Sequence, residues 1–268
     1  MKKMLALLLA LVMVLSLAAC ASSQPAAAST ETAETTETTE PAAEESAEAP
    51  AESGKTYTVG VCQLVQHEAL DAATQGFVDA LTEELGDAVT VDVQNASGDS
   101  VNCGTIVNGF VSKGVDLIMA NATPALTAAV SATADIPILG TSITAYGVAL
   151  DIDDFNGTVG GNVSGTSDLA DLQAQAQMIL DWFPETKTVG LLFCSAEPNS
   201  RYQIDEVRKA LEAQGVTCEE FAFTDSNDVS SVTQKAADFS DVVYIPTDNT
   251  AASNTEAIAN VLIPAGVP

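Results

Sequence analysis

Thr58-Val59-Gly60-Val61 returns 130 positions later as Thr188-Val189-Gly190-Leu191, and Asp116-Leu117-Ile118-Met119 returns 125 positions later as Asp241-Val242-Val243-Tyr244. Each four-residue piece is an apolar, β-branched run of strand length, and the second of each set precedes a turn containing Thr and Asn that opens a helix. A repeat this long marks a duplicated domain, since solenoid periods are about 20 to 50 residues. The segments are short, however, and any two βαβ units share such patterns, so convergence stays open. Either origin predicts the same architecture, two α/β lobes.

Working outward from these runs, short strands alternate with longer amphipathic stretches, as a parallel sheet requires. In the first unit, strands are expected at residues 56–61, 89–94, 117–120 and 136–139. Helices are expected at 68–85, 100–113 and 124–132; in the first of these Leu70, Ala73, Phe77, Ala80 and Leu81 fall on one face. The second unit carries strands at 189–193, 217–221 and 242–245 and helices at 199–214 and 229–237. Between the units lie residues 148–167 and a helix at 169–182 that Pro184 ends. The fold class is therefore α/β, with two doubly wound parallel sheets. Residues 55–160 form lobe 1, and residues 161–268 form the hinge and an incomplete lobe 2. In lobe 1 the third strand leads through a helix to Ile136-Pro137, where a fourth strand begins; in lobe 2 it leads through a matching helix at residues 249–261 to Val267-Pro268, where the chain stops. The second lobe is thus expected to be truncated at its C-terminus, and the isolated chain to fold poorly.

Charge narrows the function. The 268 residues hold 37 Asp and Glu against 9 Lys and Arg and a single His, a formal net charge of -28. Nucleic-acid affinity rests on basic residues displacing counterions, so no nucleic-acid partner is expected. One His and scattered Cys offer no zinc set, and no Gly-rich phosphate loop is present: Gly157-Thr158-Val159-Gly160-Gly161 lacks a Lys and a strand-to-helix context. Neither cofactor nor metal is expected. Cys62, Cys103, Cys194 and Cys218 form no CxxC and are expected to be mostly buried free thiols, with Cys194 and Cys218 the one pair worth testing.

The N-terminus speaks to location. Lys2 and Lys3 precede an apolar run too short for a permanent span, which leads into Leu17-Ala18-Ala19-Cys20. Residues 1–20 are a signal peptide whose end resembles the lipobox of bacterial lipoproteins, and that resemblance makes Cys20 the lipidated residue. Residues 21–54 contain eight Glu with no Lys, Arg or Asp and no large aliphatic side chain, so they form a disordered Ala/Thr/Glu-rich tether, with a reach on the order of 30 Å.

In open parallel sheets, ligands sit beyond the carboxyl ends of strands. There the sequence carries Gln63-Leu64-Val65-Gln66-His67-Glu68, Asn121-Ala122-Thr123-Pro124 and Gly140-Thr141-Ser142-Ile143-Thr144 in the first unit. The second carries Ser195-Ala196-Glu197-Pro198-Asn199-Ser200 and Pro246-Thr247-Asp248-Asn249. Helix N-termini with Ser or Thr hold a carboxylate without a formal cation, and Asp248 or Glu197 takes an ammonium. Simple N-capping accounts equally well for any one of these residues. Candidate ligand contacts are Gln66, His67, Thr123, Thr141, Ser142, Asn199, Ser200 and Asp248. No catalytic residue is assigned: His67 has no Ser, Cys or Asp motif beside it, and no nucleophile–base pair is present, so the chain is not expected to be an enzyme.

Gln63-Leu64-Val65, His67, Ala69-Leu70-Asp71, Ala122-Thr123-Pro124, Gly161-Asn162-Val163-Ser164-Gly165-Thr166-Ser167-Asp168 and Pro246-Thr247-Asp248-Asn249 resemble the tryptophan/tyrosine-type substrate-binding proteins of ABC transporters. The resemblance runs from Thr56 to the end of the chain. It implies a type I periplasmic-binding-protein fold and a lipid-anchored, extracytoplasmic receptor that closes on a small ligand, an aromatic amino acid. The receptor would deliver that ligand to an ABC permease and its ATPase. Two positions depart from the pattern. Thr144-Ala145-Tyr146 stands where Thr-Asp-Pro is frequent, so Tyr146 is a candidate aromatic wall, and Glu68 follows His67 in place of Pro. The competing class is an extracytoplasmic ligand-sensing receptor domain. The hinge is expected through residues 161–167 and a return strand beyond the end of this sequence.

Overall fold

A computed structural model describes residues 54–268; Cys20, the signal peptide and the tether lie outside the described residues. The first lobe runs β1 (Tyr57–Gln63), α1 (Glu68–Leu85), a 3₁₀ turn (Gly86–Ala88), β2 (Val89–Asn95), α2 (Ser100–Lys113), β3 (Leu117–Asn121), α3 (Thr123–Ala132), β4 (Ile138–Ile143), α4 (Tyr146–Ala149) and β5 (Val163–Ser167). The second runs α5 (Leu172–Trp182), β6 (Thr188–Cys194), α6 (Pro198–Glu212), β7 (Thr217–Phe223), α7 (Val229–Phe239), β8 (Val242–Tyr244), α8 (Asn249–Ser253) and α9 (Thr255–Ala265). All strands are parallel. One sheet has the order β2-β1-β3-β4-β5 and the other β7-β6-β8, so the second–first–third arrangement is common to both lobes.

The repeated residues do the same work in each lobe. Asp116 accepts the Thr58 N–H at 2.7 Å, and Asp241 accepts the Thr188 N–H at 2.9 Å, so one carboxylate ties the start of the third strand to the start of the first. Gly60 leaves room for a helix to pack on the sheet: a Cβ there would stand 2.5 Å from the Phe110 ring, which is fully buried. Gly190 makes the equivalent space in lobe 2 for the Ser240 hydroxyl and the Phe221 ring. Because β1 and β6 are covered on both faces, they are buried almost throughout and read as continuous apolar runs.

Three features differ from expectation. β4 begins at Ile138, since Pro137 has no N–H to give a ladder. β5, in the stretch expected to be hinge, is the fifth strand of the first sheet. It has little apolar periodicity because its register is set by close backbone approach: a Cβ on Gly165 (φ +150°) would collide with the Gly140 backbone. The C-terminal helical region is broken at Asn254 into α8 and α9.

Cys62, Cys103 and Cys194 are buried and Cys218 is half-buried, all as free thiols. Cys194 pairs in register with Phe223, and Cys218 with Val189. Five residues of strand separate them, roughly 16 Å, against the 7 Å or less that a disulfide needs. The pair singled out from the sequence is thus excluded by geometry.

Candidate functional site

The strand ends of both sheets face one cleft, and the two helices that meet across it, α3 and α6, begin without side-chain caps. Ala122, at φ +91°, turns the chain sharply out of β3 and leaves Thr123 and Pro124 as the first residues of α3. A non-glycine residue holds such a φ only where the surroundings enforce it. Thr123 is 2 % exposed, and its Oγ1 has no hydrogen-bond partner. Opposite, Asn199 opens α6 and is 3 % exposed; its Nδ2 donates to the Thr247 carbonyl at 3.1 Å, while its Oδ1 has no partner. Pro124, Ala196 and Pro198 line one 430 Å³ cavity, which places the two helix starts against each other. Two uncapped N-termini therefore bracket a hydroxyl and an amide oxygen that are both buried and unsatisfied, a state that costs about 1 to 3 kcal/mol per group.

Two carboxylates sit behind Asn199. Glu197 is 2 % exposed and accepts from the Asn249 N–H (3.1 Å), Asn249 Nδ2 (2.7 Å), the Thr250 N–H (2.8 Å) and Thr250 Oγ1 (2.8 Å). Its oxygens are occupied by the start of α8, which explains why it does not cap its own helix. Asp248 accepts from the Cys194 N–H at 2.6 Å and caps α8 through the Ala251 N–H at 2.8 Å. Burial, and then the charge of Glu197, push its carboxyl up to about 6. Among the described residues no ion pair reaches Asp248. Both arginines of α6, Arg201 and Arg208, bond instead to Glu220.

Thr123, Asn199, Ser200 and Asp248 are each buried beyond a strand end, with Ser200 beside Asp248 in the second lobe and Thr123 in the first. Thr141 and Ser142 lie half-buried on the β4 bulge, where the Thr141 carbonyl accepts the Ala122 N–H at 3.0 Å and Ser142 has φ +56°. His67 faces Asn249, with Nε2 3.3 Å from Oδ1; Gln66 is exposed. Tyr146 is 6 % exposed, and its hydroxyl lies 3.1 Å from the Gly140 carbonyl and 3.2 Å from that of Thr166, so its ring braces β4 and β5. One edge still lines a 560 Å³ cavity shared with Phe155 and Tyr202.

Several site residues escaped the sequence reading. Gln203 exchanges hydrogen bonds with Thr247, giving Nε2 to the carbonyl and taking the N–H, each at 3.0 Å. Its signal was the four-residue spacing from Asn199 on a helix. Ser97 and Gly98 after β2, and Thr224 and Asp225 after β7, line a 260 Å³ cavity with Leu64, Glu197 and Thr250. The strand-end rule applied to these turns as well. Among the described residues no cluster of His, Cys, Asp or Glu is suited to a metal ion, and no helix is long and apolar enough to cross a membrane.

Comparison with known proteins agrees with this geometry. A crystal structure of an ABC domain in complex with L-Trp from Streptococcus pneumoniae is 33% identical, with a TM-score of 0.75, covering 80% of this chain and 73% of that one. A ligand-free, open substrate-binding protein with adhesive properties from Clostridium difficile is 34% identical over the same shares, at a TM-score of 0.53. A tyrosine-binding protein of Clostridioides difficile is 33% identical over 216 residues, 78% of this chain; the chain spans 61% of that curated relative's length. These likenesses identify the two-lobe architecture as a type I periplasmic-binding-protein-like fold. The model of the ABC transporter substrate binding protein family matches residues 58–268, both lobes and the cleft between them, and the chain belongs to that family.

Proposed function

We propose that this chain captures a small zwitterion, an aromatic amino acid, between its lobes and delivers it to an ABC permease driven by its ATPase. The observation that carries the ligand class is the pair of buried, unpartnered atoms at the meeting of α3 and α6. Thr123 Oγ1, with the free N–H groups of α3, suits a carboxylate. Asn199 Oδ1 is an acceptor, and with the negative field of Asp248 it suits an ammonium. Ser200 lies beside Asp248, and Thr141 and Ser142 complete the first lobe's polar rim. The cavity between Tyr146, Phe155 and Tyr202 is large enough for an aromatic side chain. Relatives described as tyrosine-binding and as bound to L-Trp support the aromatic class.

Closure turns on the link between β5 and α5, residues 168–171, which puts residues 161–167 with lobe 1. Ligand binding draws the population toward the closed form because contacts from the second lobe exist only there. Cys20, outside the described residues, holds the protein on the outer face of the cell membrane by a diacylglyceryl group. Two acyl chains suffice for a stable anchor.

Isothermal titration of the full chain with L-tyrosine, L-tryptophan, L-leucine and phenylpropionate tests the ligand. An aromatic amino acid is expected to bind, and to add roughly 2.7 kcal/mol of stability at one hundred times its Kd. Phenylpropionate, lacking the ammonium, is expected not to bind. Equal binding of phenylpropionate would overturn the assignment of Asn199 and Asp248.

A further inference from the structure

We propose that His67 is the first-lobe half of a closing latch whose second-lobe half is Asn249, and that it acts by holding the lobes together and not by touching ligand. This rests on the reading of the chain as a receptor that closes.

The argument begins with Asn249. Its N–H and its Nδ2 both donate to Glu197, at 3.1 and 2.7 Å, so the amide is oriented with Nδ2 toward the carboxylate. Turning the amide over would set Oδ1 against an anion. Asn249 Oδ1 therefore points away from Glu197 as a free acceptor, and His67 Nε2 lies 3.3 Å from it. Since an amide oxygen only accepts, the imidazole donates from Nε2. Of the hydrogen bonds among the described residues, this is the one that joins the lobes.

The two halves are prepared differently. Glu197 takes its hydrogen bonds from Asn199, Asn249 and Thr250, all of its own lobe, so the acceptor keeps its orientation whether the lobes are open or closed. On the other side, His67 occupies the N-cap position of α1 with extended backbone (φ −161°, ψ 163°), yet its side chain makes no capping bond. Its carbonyl satisfies the Asp71 N–H at 2.9 Å, which leaves the ring directed out of the helix and toward the cleft. His67 and Ala69 of the first lobe line a common 280 Å³ cavity with Asp248 and Asn249 of the second. The lobes are disposed as in a closed receptor: at nearly equal identity, the likeness to the L-Trp complex has a TM-score of 0.75, and that to the ligand-free open protein 0.53. The latch is thus a contact of the closed arrangement, between an acceptor fixed in advance and a donor that its own helix does not use.

Two measurements on the full chain, in a Cys218→Ser background, test this. Spin labels at the exposed Val101 and Ile263 report the distance between the lobes without ligand. His67→Ala is expected to move the distribution to longer distances, and His67→Gln, whose amide N–H can reach Asn249, to restore it; an unchanged distribution in His67→Ala overturns the latch. In stopped-flow binding of L-tyrosine, His67→Ala is expected to speed dissociation about threefold to tenfold, the worth of one neutral hydrogen bond, with the association rate within about twofold of the parent and the ligand-free melting temperature unchanged. Loss of association rate that His67→Gln fails to rescue would make His67 a ligand contact and overturn the proposal. If the parent chain binds neither L-tyrosine nor L-tryptophan, the receptor reading fails, while the ligand-free distance measurement still decides the latch.

Discussion

The two lobes share a scaffold and differ at their tips. In both, a buried first strand lies between the second and third, a carboxylate ties the third strand's start to the first, and a glycine lets a side chain close onto the sheet. At the cleft the likeness ends. The first lobe presents Thr123, Thr141 and Ser142 from β3 and β4, whereas the second presents Asn199 and Ser200 backed by the buried Glu197 and Asp248. Packing demands the same answer twice because parallel strands and covering helices have one geometry. A ligand with unlike ends demands two different answers, so divergence marks the site.

The largest effect that can break this comparison lies in the shared scaffold. Phe110→Ala empties the space over Gly60 and is expected to cost about 3 to 5 kcal/mol by denaturant unfolding. Ser240→Ala at the matching space over Gly190 is expected to be near neutral, because the hydroxyl it removes is buried without a partner. A comparable loss at both would mean that the Ser240 hydroxyl contributes to its lobe as the Phe110 ring does, against its lack of a partner.

Next in size is Glu197→Gln. It turns an acceptor of five hydrogen bonds into a group that offers N–H to N–H, and is expected to destabilise the ligand-free chain by about 2 to 3 kcal/mol. It also frees Asn249 to rotate, so in the spin-label measurement it should lengthen the interlobe distance as His67→Ala does.

Asp248 sharpens the contrast through pH. Its folded carboxyl titrates near 6, above the ordinary 3.8 of an unfolded chain, so the folded form holds the proton more tightly. For the ligand-free chain its stabilising contribution is fully present below pH 3.8 and is lost as pH rises through about 6. Affinity for an ammonium runs the other way, with L-tyrosine binding about tenfold weaker at pH 5 than at pH 7, since only the ionised carboxylate attracts the cation. Asp248→Asn should flatten both profiles, as followed by unfolding midpoints and calorimetric titration between pH 5 and 8.

The smallest effect expected is at the paired aspartates. Asp116→Asn and Asp241→Asn each remove one exposed carboxylate from strand N–H groups and should lower the melting temperature slightly, Asp241→Asn the more because Asp241 accepts from Lys187 and twice from Thr188.

Much of this was legible in the residues. The Thr-Val-Gly and Asp-apolar repeats located both first and both third strands, and α1 and α2 run over the expected residues because their apolar spacing and flanking turns are local signals. The strand-end rule gathered Thr123, Asn199, Ser200 and Asp248 from distant positions. β5 was not legible, since its Gly and Ser residues hold their place by backbone approach to Gly140 and not by burying side chains. Tyr146 was expected as an aromatic wall. One edge does line a cavity, but that its hydroxyl also lies between the Gly140 and Thr166 carbonyls was not legible, because those partners are brought to it only by folding.

By itself the sequence determined the two α/β lobes, the order of their elements and the neutral and acidic character of the facing turns, because these follow from local periodicity and composition. Only the tertiary structure decided which polar groups remain without partners and which are already bound. Thr123 and Asn199 are left unsatisfied, Glu197 is occupied by α8, and His67 reaches Asn249, 182 positions away. A hydrogen bond depends on distances between groups that the chain brings together only on folding, and no pattern along the chain encodes it.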